Sequence, residues 1–152
     1  MKEQRRGQKI AMSSDELNEF LAEARTCRVA TIGPDGSPHV TPLWFAWDGS
    51  ALWLTSIVKS QRWADVMRDG RVAIAVDEGT DFMELRGVEI LGTASLVGEA
   101  PRTGEPEPEL REPEQIFADK YAGGNVHYDG RHAWLKVTPS KIVSWDFRKI
   151  GR

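Results

Sequence analysis

Residues 52–62 combine hydroxyl and cationic side chains at the junction of a predicted strand and a predicted helix. The polar side chains are Thr55 and Ser56 at the strand end and Lys59, Ser60 and Arg62 at the helix start. A helix start offers free backbone N–H groups and the positive end of the helix dipole, which together with two cations favour binding of a phosphate group. In the alternative interpretation, Ser60 only caps the helix and both cations are solvated.

The segment from His39 to Trp47 predicts a strand that is apolar on both faces. Such a strand is either covered by a helix or lies at a subunit interface beside a flat ligand, and the sequence does not separate these alternatives. Three tryptophans, Trp44, Trp47 and Trp53, fall within ten positions of one another. Side chains of this size bury large flat surfaces in a core, at an interface or against a flat ligand.

The remaining reactive side chains do not form a recognisable catalytic set. The one cysteine, Cys27, lies at a predicted strand start, where a small buried side chain is typical. The three histidines, at positions 39, 127 and 132, lack metal-ligand spacing. GxGxxG, Walker, GxSxG and CxxC motifs are absent, which argues against a dinucleotide-binding Rossmann fold and a serine hydrolase. We therefore predict no metal site, and we identify no catalytic residue.

The composition of the 152-residue chain is typical of one domain with its own core. A single cysteine suits a reducing compartment, and no apolar run reaches the ~18 residues of a membrane span. We therefore expect a cytoplasmic protein that does not contact a membrane. The net charge of −3 does not favour a polyanion, so nucleic acid is not an expected partner.

Apolar periodicity and turn residues predict about six strands and three short helices without βαβ alternation. We expect a flexible basic tail over residues 1–12 and one domain over residues 13–152, with a solvated Pro- and Glu-rich loop at about 99–112. Gly87 and Gly92 interrupt the longest predicted strand and suit bulges or a bend that closes a barrel. The expected fold is mainly β (α+β), an antiparallel six-stranded barrel with short peripheral helices.

Taken in order, these segments resemble the pyridoxamine 5′-phosphate oxidase-like split barrels, in particular the deazaflavin-using branch that is common in actinobacteria. The resemblance covers about residues 14–148. The matching segments are Arg28-Val-Ala-Thr-Ile, Gly36-Ser-Pro-His-Val-Thr-Pro-Leu-Trp-Phe, Leu54-Thr-Ser followed by Lys59, Gly70-Arg-Val-Ala-Ile, Val88-Glu-Ile-Leu-Gly-Thr-Ala and Trp134-Leu-Lys-Val-Thr-Pro-Ser-Lys-Ile. Their order and spacing are specific, although each segment alone is not. The resemblance implies a split barrel that forms a homodimer with two cofactor sites at the interface.

The resemblance also implies which residues bind the cofactor. The phosphate would lie at Thr55, Ser56, Lys59, Ser60 and Arg62. The edge of the ring would lie along Val40, Thr41, Pro42 and Leu43. A cationic track for an anionic tail would include Lys59 and Arg62, with Arg86 or the N-terminal residues Lys2, Arg5, Arg6 and Lys9 as further candidates.

The branch resemblance favours coenzyme F420 and an enzyme in which hydride passes from reduced deazaflavin to an unsaturated small organic substrate. The alternatives are an FMN-dependent oxidase or flavin reductase, and a protein that binds F420 without turnover. A haem-utilisation split barrel is disfavoured because no histidine lies in an evident ligand motif. Gly87 stands where true pyridoxamine phosphate oxidases have a glutamine, and their C-terminal Arg/His motif is missing, which argues against pyridoxamine phosphate oxidation.

Overall fold

A computed structural model describes residues 1–151 and contains one curved antiparallel sheet. Its strands are β1 (Cys27–Ile32), β2 (Pro38–Leu43), β3 (Phe45–Trp47), β4 (Leu52–Ile57), β5 (Arg71–Glu78), β6 (Arg86–Val97) and β7 (His132–Asp146). They lie in the order β2-β1-β5-β6-β7-β4-β3, and every neighbouring pair is antiparallel. The predicted mainly β, α+β half-barrel is confirmed, with seven strands in the described chain rather than six.

The additional strand arises at Trp44. Leu43 ends β2 at one edge of the sheet, and Phe45 begins β3 at the opposite edge. Because a single residue separates these strands, the sheet must curl until its two edges approach each other at Trp44. The prediction of one continuous strand over His39–Trp47 is therefore wrong. Apolar residues continue through the break, so the change of partner strand leaves no signal in the sequence.

Three short α-helices pack on the sheet. They are α1 (Ser14–Glu23), α2 (Gln61–Arg68) and α3 (Arg111–Tyr121). The Ser13 hydroxyl caps α1 by accepting a hydrogen bond from the Glu16 amide at 3.2 Å, and the Ser60 hydroxyl caps α2 by accepting one from the Trp63 amide at 3.1 Å. Within residues 1–151, no helix is both long and apolar enough to cross a membrane.

Two apolar clusters lie on the two faces of β4, because successive side chains of a strand point to opposite faces. Leu52 and Leu54 belong to the larger cluster inside the barrel, whereas Trp53 belongs to a smaller cluster on the outer face, together with Phe117 of α3. The neighbouring β3 is likewise buried on both faces. A covering helix thus explains why the β3 part of the doubly apolar segment is buried. The β2 part is not covered in this way, because its residues alternate between exposed and half-buried.

The two glycines of the long strand have different roles. Gly92 lies at a register shift between β6 and β7, where a Cβ atom would be 2.4 Å from the Thr138 carbonyl oxygen. This is the predicted bulge. Gly87 lies in regular pairing opposite Trp145, and a Cβ atom there would be 2.2 Å from the indole ring. Gly87 therefore allows a tryptophan to pack flat on the strand rather than interrupting it.

The loop predicted to be solvated at about 99–112 is only partly so. Residues 103–109 are mostly exposed, but Arg102 is 6% exposed and Leu110 is fully buried in the outer cluster. Arg102 forms ion pairs with Glu99 and Glu114. The prediction is wrong at these positions because it rested on the overall composition of the segment. A Pro- and Glu-rich composition does not reveal that one leucine and one ion pair within it are buried.

Residues 1–12, for which the sequence predicts a flexible tail, contact β7. The Lys2 amide donates a hydrogen bond to the Ser140 carbonyl at 2.8 Å. The Gln4 side chain donates to the Ser144 carbonyl at 3.0 Å and accepts from the Ser144 amide at 2.9 Å. All of these contacts are polar, so they leave no trace in an apolar pattern. The flexibility of the segment stays a prediction.

Candidate functional site

Arg62, on the first turn of α2, joins residues from three separate elements. Its guanidinium Nη1 donates a hydrogen bond to the Thr41 hydroxyl of β2 at 2.6 Å, and its Nε donates to the Ser56 hydroxyl of β4 at 3.2 Å. The Ser60 hydroxyl, which caps α2, lies 3.5 Å from the Ser56 hydroxyl. Four of the predicted site residues thus come together at the start of α2, near the place where the two edges of the sheet meet.

The charge on Arg62 lacks a balancing carboxylate. The residue is 8% exposed, and within residues 1–151 no carboxylate oxygen lies within 4.0 Å of its guanidinium. Burial accordingly lowers the pKa of Arg62. Lys59 is exposed in the turn before α2 and has no ion-pair partner in the described part of the chain. Removing a cation from water without a counter-charge is costly, so an anion bound here would be stabilised.

A second polar contact holds α2 against the sheet. Asp65, one turn after Arg62, accepts hydrogen bonds from the Gln61 amide at 2.8 Å and the Thr31 hydroxyl at 2.9 Å, and these bonds lower the pKa of its carboxyl. The Nδ1 atom of His39 is buried without a hydrogen-bond partner, 3.8 Å from an Asp65 oxygen. The start of α2 is therefore fixed relative to β1 and β2, which positions Arg62. No pattern in the sequence predicts this role for Asp65.

A cavity of about 610 Å³ lies on the outer face of the sheet and is lined by three more of the predicted residues, Pro42, Leu43 and Thr55. Pro42 and Thr55 point to the outer face, opposite to their neighbours Thr41 and Ser56, whereas Leu43 shares the inner face with Thr41 and packs against the larger cluster. Because Leu43 also lines the cavity, the cavity extends around the end of β2 toward the face that carries Thr41. The cavity has an aromatic wall. The wall residues are Trp44, Phe117, Tyr121 and Trp134.

Helix α3 forms one side of this cavity and is fixed by polar contacts at its end. The Tyr121 hydroxyl donates to the Arg25 carbonyl at 2.6 Å and accepts from the Phe45 amide at 3.2 Å, and burial raises the pKa of Tyr121 to about 12. The Lys120 ammonium lies 3.9 Å above the centre of the Phe45 ring and 3.2 Å from the Leu21 carbonyl. Burial lowers the pKa of Lys120 to about 8.

The far end of the cavity is polar and was not identified from the sequence. Arg102 donates to Glu114 at 2.8 Å, and Asp129 accepts hydrogen bonds from the backbone amide and the ring Nδ1 of His132. Burial alone would raise the pKa of Asp129, but the hydrogen bonds from the Arg131 and His132 amides and the His132 ring outweigh it and lower the pKa to about 2. Arg102 and Asp129 lie in irregular loops, which have no periodicity, whereas Glu114 lies in the first turn of α3 and His132 begins β7.

Two predicted residues lie apart from the others. Arg86 begins β6, forms an ion pair with Glu78 at 3.2 Å and stacks over Phe20, so within one chain it contacts neither Arg62 nor the cavity. Val40 is 62% exposed on the outward face of β2 and does not line the cavity. The structure therefore separates the predicted residues into three sets and one further position. The Arg62 group consists of Thr41, Ser56, Ser60 and Arg62, the cavity group of Pro42, Leu43 and Thr55, and the outlying positions are Val40 and Arg86; Lys59 is exposed in the turn before α2.

The chain is similar to known proteins along most of its length. The family model described as pyridoxamine 5′-phosphate oxidase matches residues 13–146. No curated protein matches the chain. Among solved structures, the conserved hypothetical protein Rv2991 from Mycobacterium tuberculosis matches with a TM-score of 0.82 and 31% sequence identity, over 98% of this chain and 94% of that one.

Two further solved structures share the fold at lower sequence identity. An F420 reductase matches with a TM-score of 0.62 and 23% identity, over 82% of this chain and 94% of that one. HutZ, the heme storage protein from Vibrio cholerae, matches with a TM-score of 0.68 and 14% identity, over 86% of this chain and 93% of that one.

Proposed function

The chain belongs to the pyridoxamine 5′-phosphate oxidase family, and from this premise we propose that it is a coenzyme F420-dependent oxidoreductase, which transfers hydride from reduced deazaflavin to an unsaturated small organic molecule. The observation that carries the proposal is the buried guanidinium of Arg62, which has hydroxyl partners but no carboxylate partner among residues 1–151. The similarity in fold to an F420 reductase supports the choice of cofactor.

The residues of the site suit a cofactor with an anionic end and a flat ring. Arg62 and Lys59 would bind the phosphate, assisted by the capped start of α2. Pro42 and Leu43 offer an apolar edge and backbone groups to the ring, next to the aromatic wall of the cavity. When bound, the deazaflavin supplies the hydride. An isoalloxazine ring with one phosphate meets the same requirements, so FMN is the second candidate.

The contribution of the protein is binding, orientation and exclusion of water. The Thr41 and Ser56 hydroxyls hold the Arg62 guanidinium in one orientation, so a phosphate would meet a preorganised donor. The aromatic wall makes the part of the cavity next to Pro42 and Leu43 apolar, which disfavours water there. A water-poor cavity strengthens electrostatic contacts to the reacting molecules.

A homodimer completes the proposal. The outward face of β2 carries Val40, and Trp44 at the end of that strand is 50% exposed. Apolar side chains of this size grouped at an open sheet edge favour association with a second surface. A second copy of the chain would cover this edge and would bring further residues to each cofactor site.

The proposal is tested by titrating the protein with F420 and with FMN, following the fluorescence of each cofactor. We expect F420 to bind more tightly. Charge-assisted contacts contribute roughly 1.5–3 kcal/mol each, so Lys59→Ala and Arg62→Met should each weaken binding by about tenfold to a hundredfold. Lys141→Ala is the control, because Lys141 lies on β7 and forms no ion pair in the described chain.

Each outcome of the titration decides between the candidates. If FMN binds more tightly than F420, the protein is an FMN-dependent oxidoreductase rather than an F420-dependent one. If neither cofactor binds, the proposal is refuted. Equal effects of Lys59→Ala and Lys141→Ala would place the phosphate elsewhere. Higher salt should weaken wild-type binding more than binding by Lys59→Ala, because the variant lacks one of the screened attractions.

A further inference from the structure

We infer that the polar end of the cavity, formed by Arg102, Glu114, Asp129 and His132, binds a planar organic molecule that carries no negative charge. The inference rests on the proposed function only for the role of that molecule, which would be the hydride acceptor. Binding itself follows from the shape and the charge of the cavity, and it can be measured without cofactor.

The shape of the cavity favours a flat ring. The Trp44 and Tyr121 rings stack with their centres 4.4 Å apart and their planes 3° from parallel. Phe117 meets Trp134 edge to face, with ring centres 5.4 Å apart. Flat apolar walls of this kind bind aromatic or conjugated rings, and a volume of about 610 Å³ is typical of a small-molecule site.

Arg102 is the one arginine or lysine among the described residues that line the cavity, and its charge is already neutralised by carboxylates. Its Nε and Nη2 both donate to Glu114, and its Nη1 donates to Glu99 and to the Glu105 carbonyl. Four of the five N–H donors of a guanidinium are therefore occupied. Arg102 thus differs from Arg62, whose partners are neutral hydroxyls.

The remaining charges at this end are negative. Glu99 and Glu114 both pair with the guanidinium of Arg102, and Asp129 adds a third carboxylate to the cavity lining, where it is bound by His132 and backbone amides. The low pKa of Asp129 keeps its carboxyl ionised at neutral pH. A ligand carboxylate or phosphate would meet this excess of negative charge in a partly enclosed, aromatic site, where Coulomb repulsion is stronger than in water.

The Asp129–His132 pair adds one specific polar contact. The Nδ1 atom of His132 is bound to Asp129, so a neutral His132 keeps its proton on Nδ1 and presents Nε2 as an acceptor. An acceptor nitrogen suits a hydroxyl or N–H donor on the ligand. A neutral ring that carries a hydroxyl therefore matches the walls, the charge and the polar group of the cavity.

The inference is tested by equilibrium dialysis of the cofactor-free protein at pH 7 against 2-naphthol and 2-naphthoate. The two probes share one ring system, but the first is neutral and the second is an anion. We expect 2-naphthol to bind and 2-naphthoate to bind at least about tenfold more weakly. Ala122→Trp, which enlarges an exposed side chain on the cavity lining, should weaken 2-naphthol binding and so locate the probe.

Variants that remove one negative charge from the cavity should reduce the preference for 2-naphthol over 2-naphthoate. Asp129→Asn keeps an acceptor oxygen for the backbone amides, so it should fold, and Glu114→Gln is the second variant. Asp119→Asn is the matched control, because Asp119 lies exposed on α3 and does not line the cavity. The dissociation constant of 2-naphthoate divided by that of 2-naphthol should fall severalfold in Asp129→Asn and Glu114→Gln and stay unchanged in Asp119→Asn.

Three results would overturn the inference: equal or tighter binding of 2-naphthoate, no binding of either probe, or a ratio that neither cavity variant changes. Failure of F420 and FMN to bind would refute the proposed function and leave this result standing. If a cofactor binds but the two naphthalene probes bind equally well, the proposed function stands and this inference is refuted.

Discussion

Replacement of Arg62 and of Arg102 by methionine should have opposite consequences for the stability of the protein and for cofactor binding. Arg102 and Arg62 are 6% and 8% exposed, but Arg102 pairs with two carboxylates, whereas the guanidinium of Arg62 donates hydrogen bonds only to hydroxyls within residues 1–151. If the role of Arg62 is to bind an anion, its positive charge should contribute little to the free energy of unfolding of the cofactor-free protein. If it has only a structural role, its loss should be as harmful as the loss of Arg102.

The expected magnitudes follow from these surroundings. Arg102→Met leaves the buried Glu114 carboxylate without its partner, and breaking a buried pair in this way costs about 3–5 kcal/mol. Arg62→Met removes two charge-assisted hydrogen bonds of roughly 1.5–3 kcal/mol each, but it also removes a desolvation penalty of several kcal/mol. The net change for Arg62→Met should therefore lie within about 1 kcal/mol of zero.

Thermal and urea denaturation at pH 7, without cofactor, measures both variants against wild type. For a domain of this size about 1 kcal/mol corresponds to roughly 2–4 °C in Tm, so Arg102→Met should lower Tm by about 6–20 °C and Arg62→Met by less than about 4 °C. Arg62→Met should nevertheless weaken cofactor binding, whereas Lys141→Ala changes neither property. A loss of stability in Arg62→Met equal to that in Arg102→Met would refute the assignment of Arg62 to anion binding.

Three further predictions concern packing, pH and assembly. Leu110→Ala should reduce the free energy of unfolding by about 2–5 kcal/mol in urea, because Leu110 is fully buried; a loss below about 1 kcal/mol would mean that the loop is not packed. The pKa of Lys120 falls from its ordinary 10.5 to about 8, so the unfolded state binds more protons above pH 8 and stability should rise from pH 7 to 9. In Lys120→Met this rise in stability with pH should be smaller than in the wild type. If urea denaturation shows the same pH dependence for wild type and variant, the prediction is wrong. Sedimentation should give about twice the 17.0 kDa chain mass, and a monomer that binds cofactor would contradict the dimer proposal.

Local signals in the sequence predicted the elements around the start of α2 but not their arrangement in space. The helix start at Ser60 was predictable because a capping residue and an apolar stripe are local features. The burial of Arg62 was not, because its contacts with Thr41 and Ser56 cross between elements. An arginine next to a helix start has the same sequence pattern whether it is solvated or enclosed.

The polar end of the cavity was not predictable for a different reason. Arg102 and Glu114 belong to a Pro- and Glu-rich region, in which a buried ion pair and a solvated one have the same composition. Asp129 and Gly130 form a dipeptide that is typical of a turn, but a turn signal does not show that the side chains of Asp129 and His132 meet. Irregular segments carry no periodicity, so their contacts emerge only once the sheet has placed them.

The strand order has a consequence for the assembly of the protein during folding. β7, at residues 132–146, is the only strand of the described sheet that pairs with both β4 and β6, so it joins the pair β3–β4 to the four strands β2, β1, β5 and β6. Thr41 belongs to one group and Ser56 to the other, and both precede residue 63 in the chain. A nascent chain that extends past Arg62 but not yet through Asp146 therefore contains every residue of the Arg62 group but lacks the strand pairing that brings them together. Such long-range pairing is slow to form, so the capacity to bind an anion should be acquired last, after synthesis of the C-terminal strand.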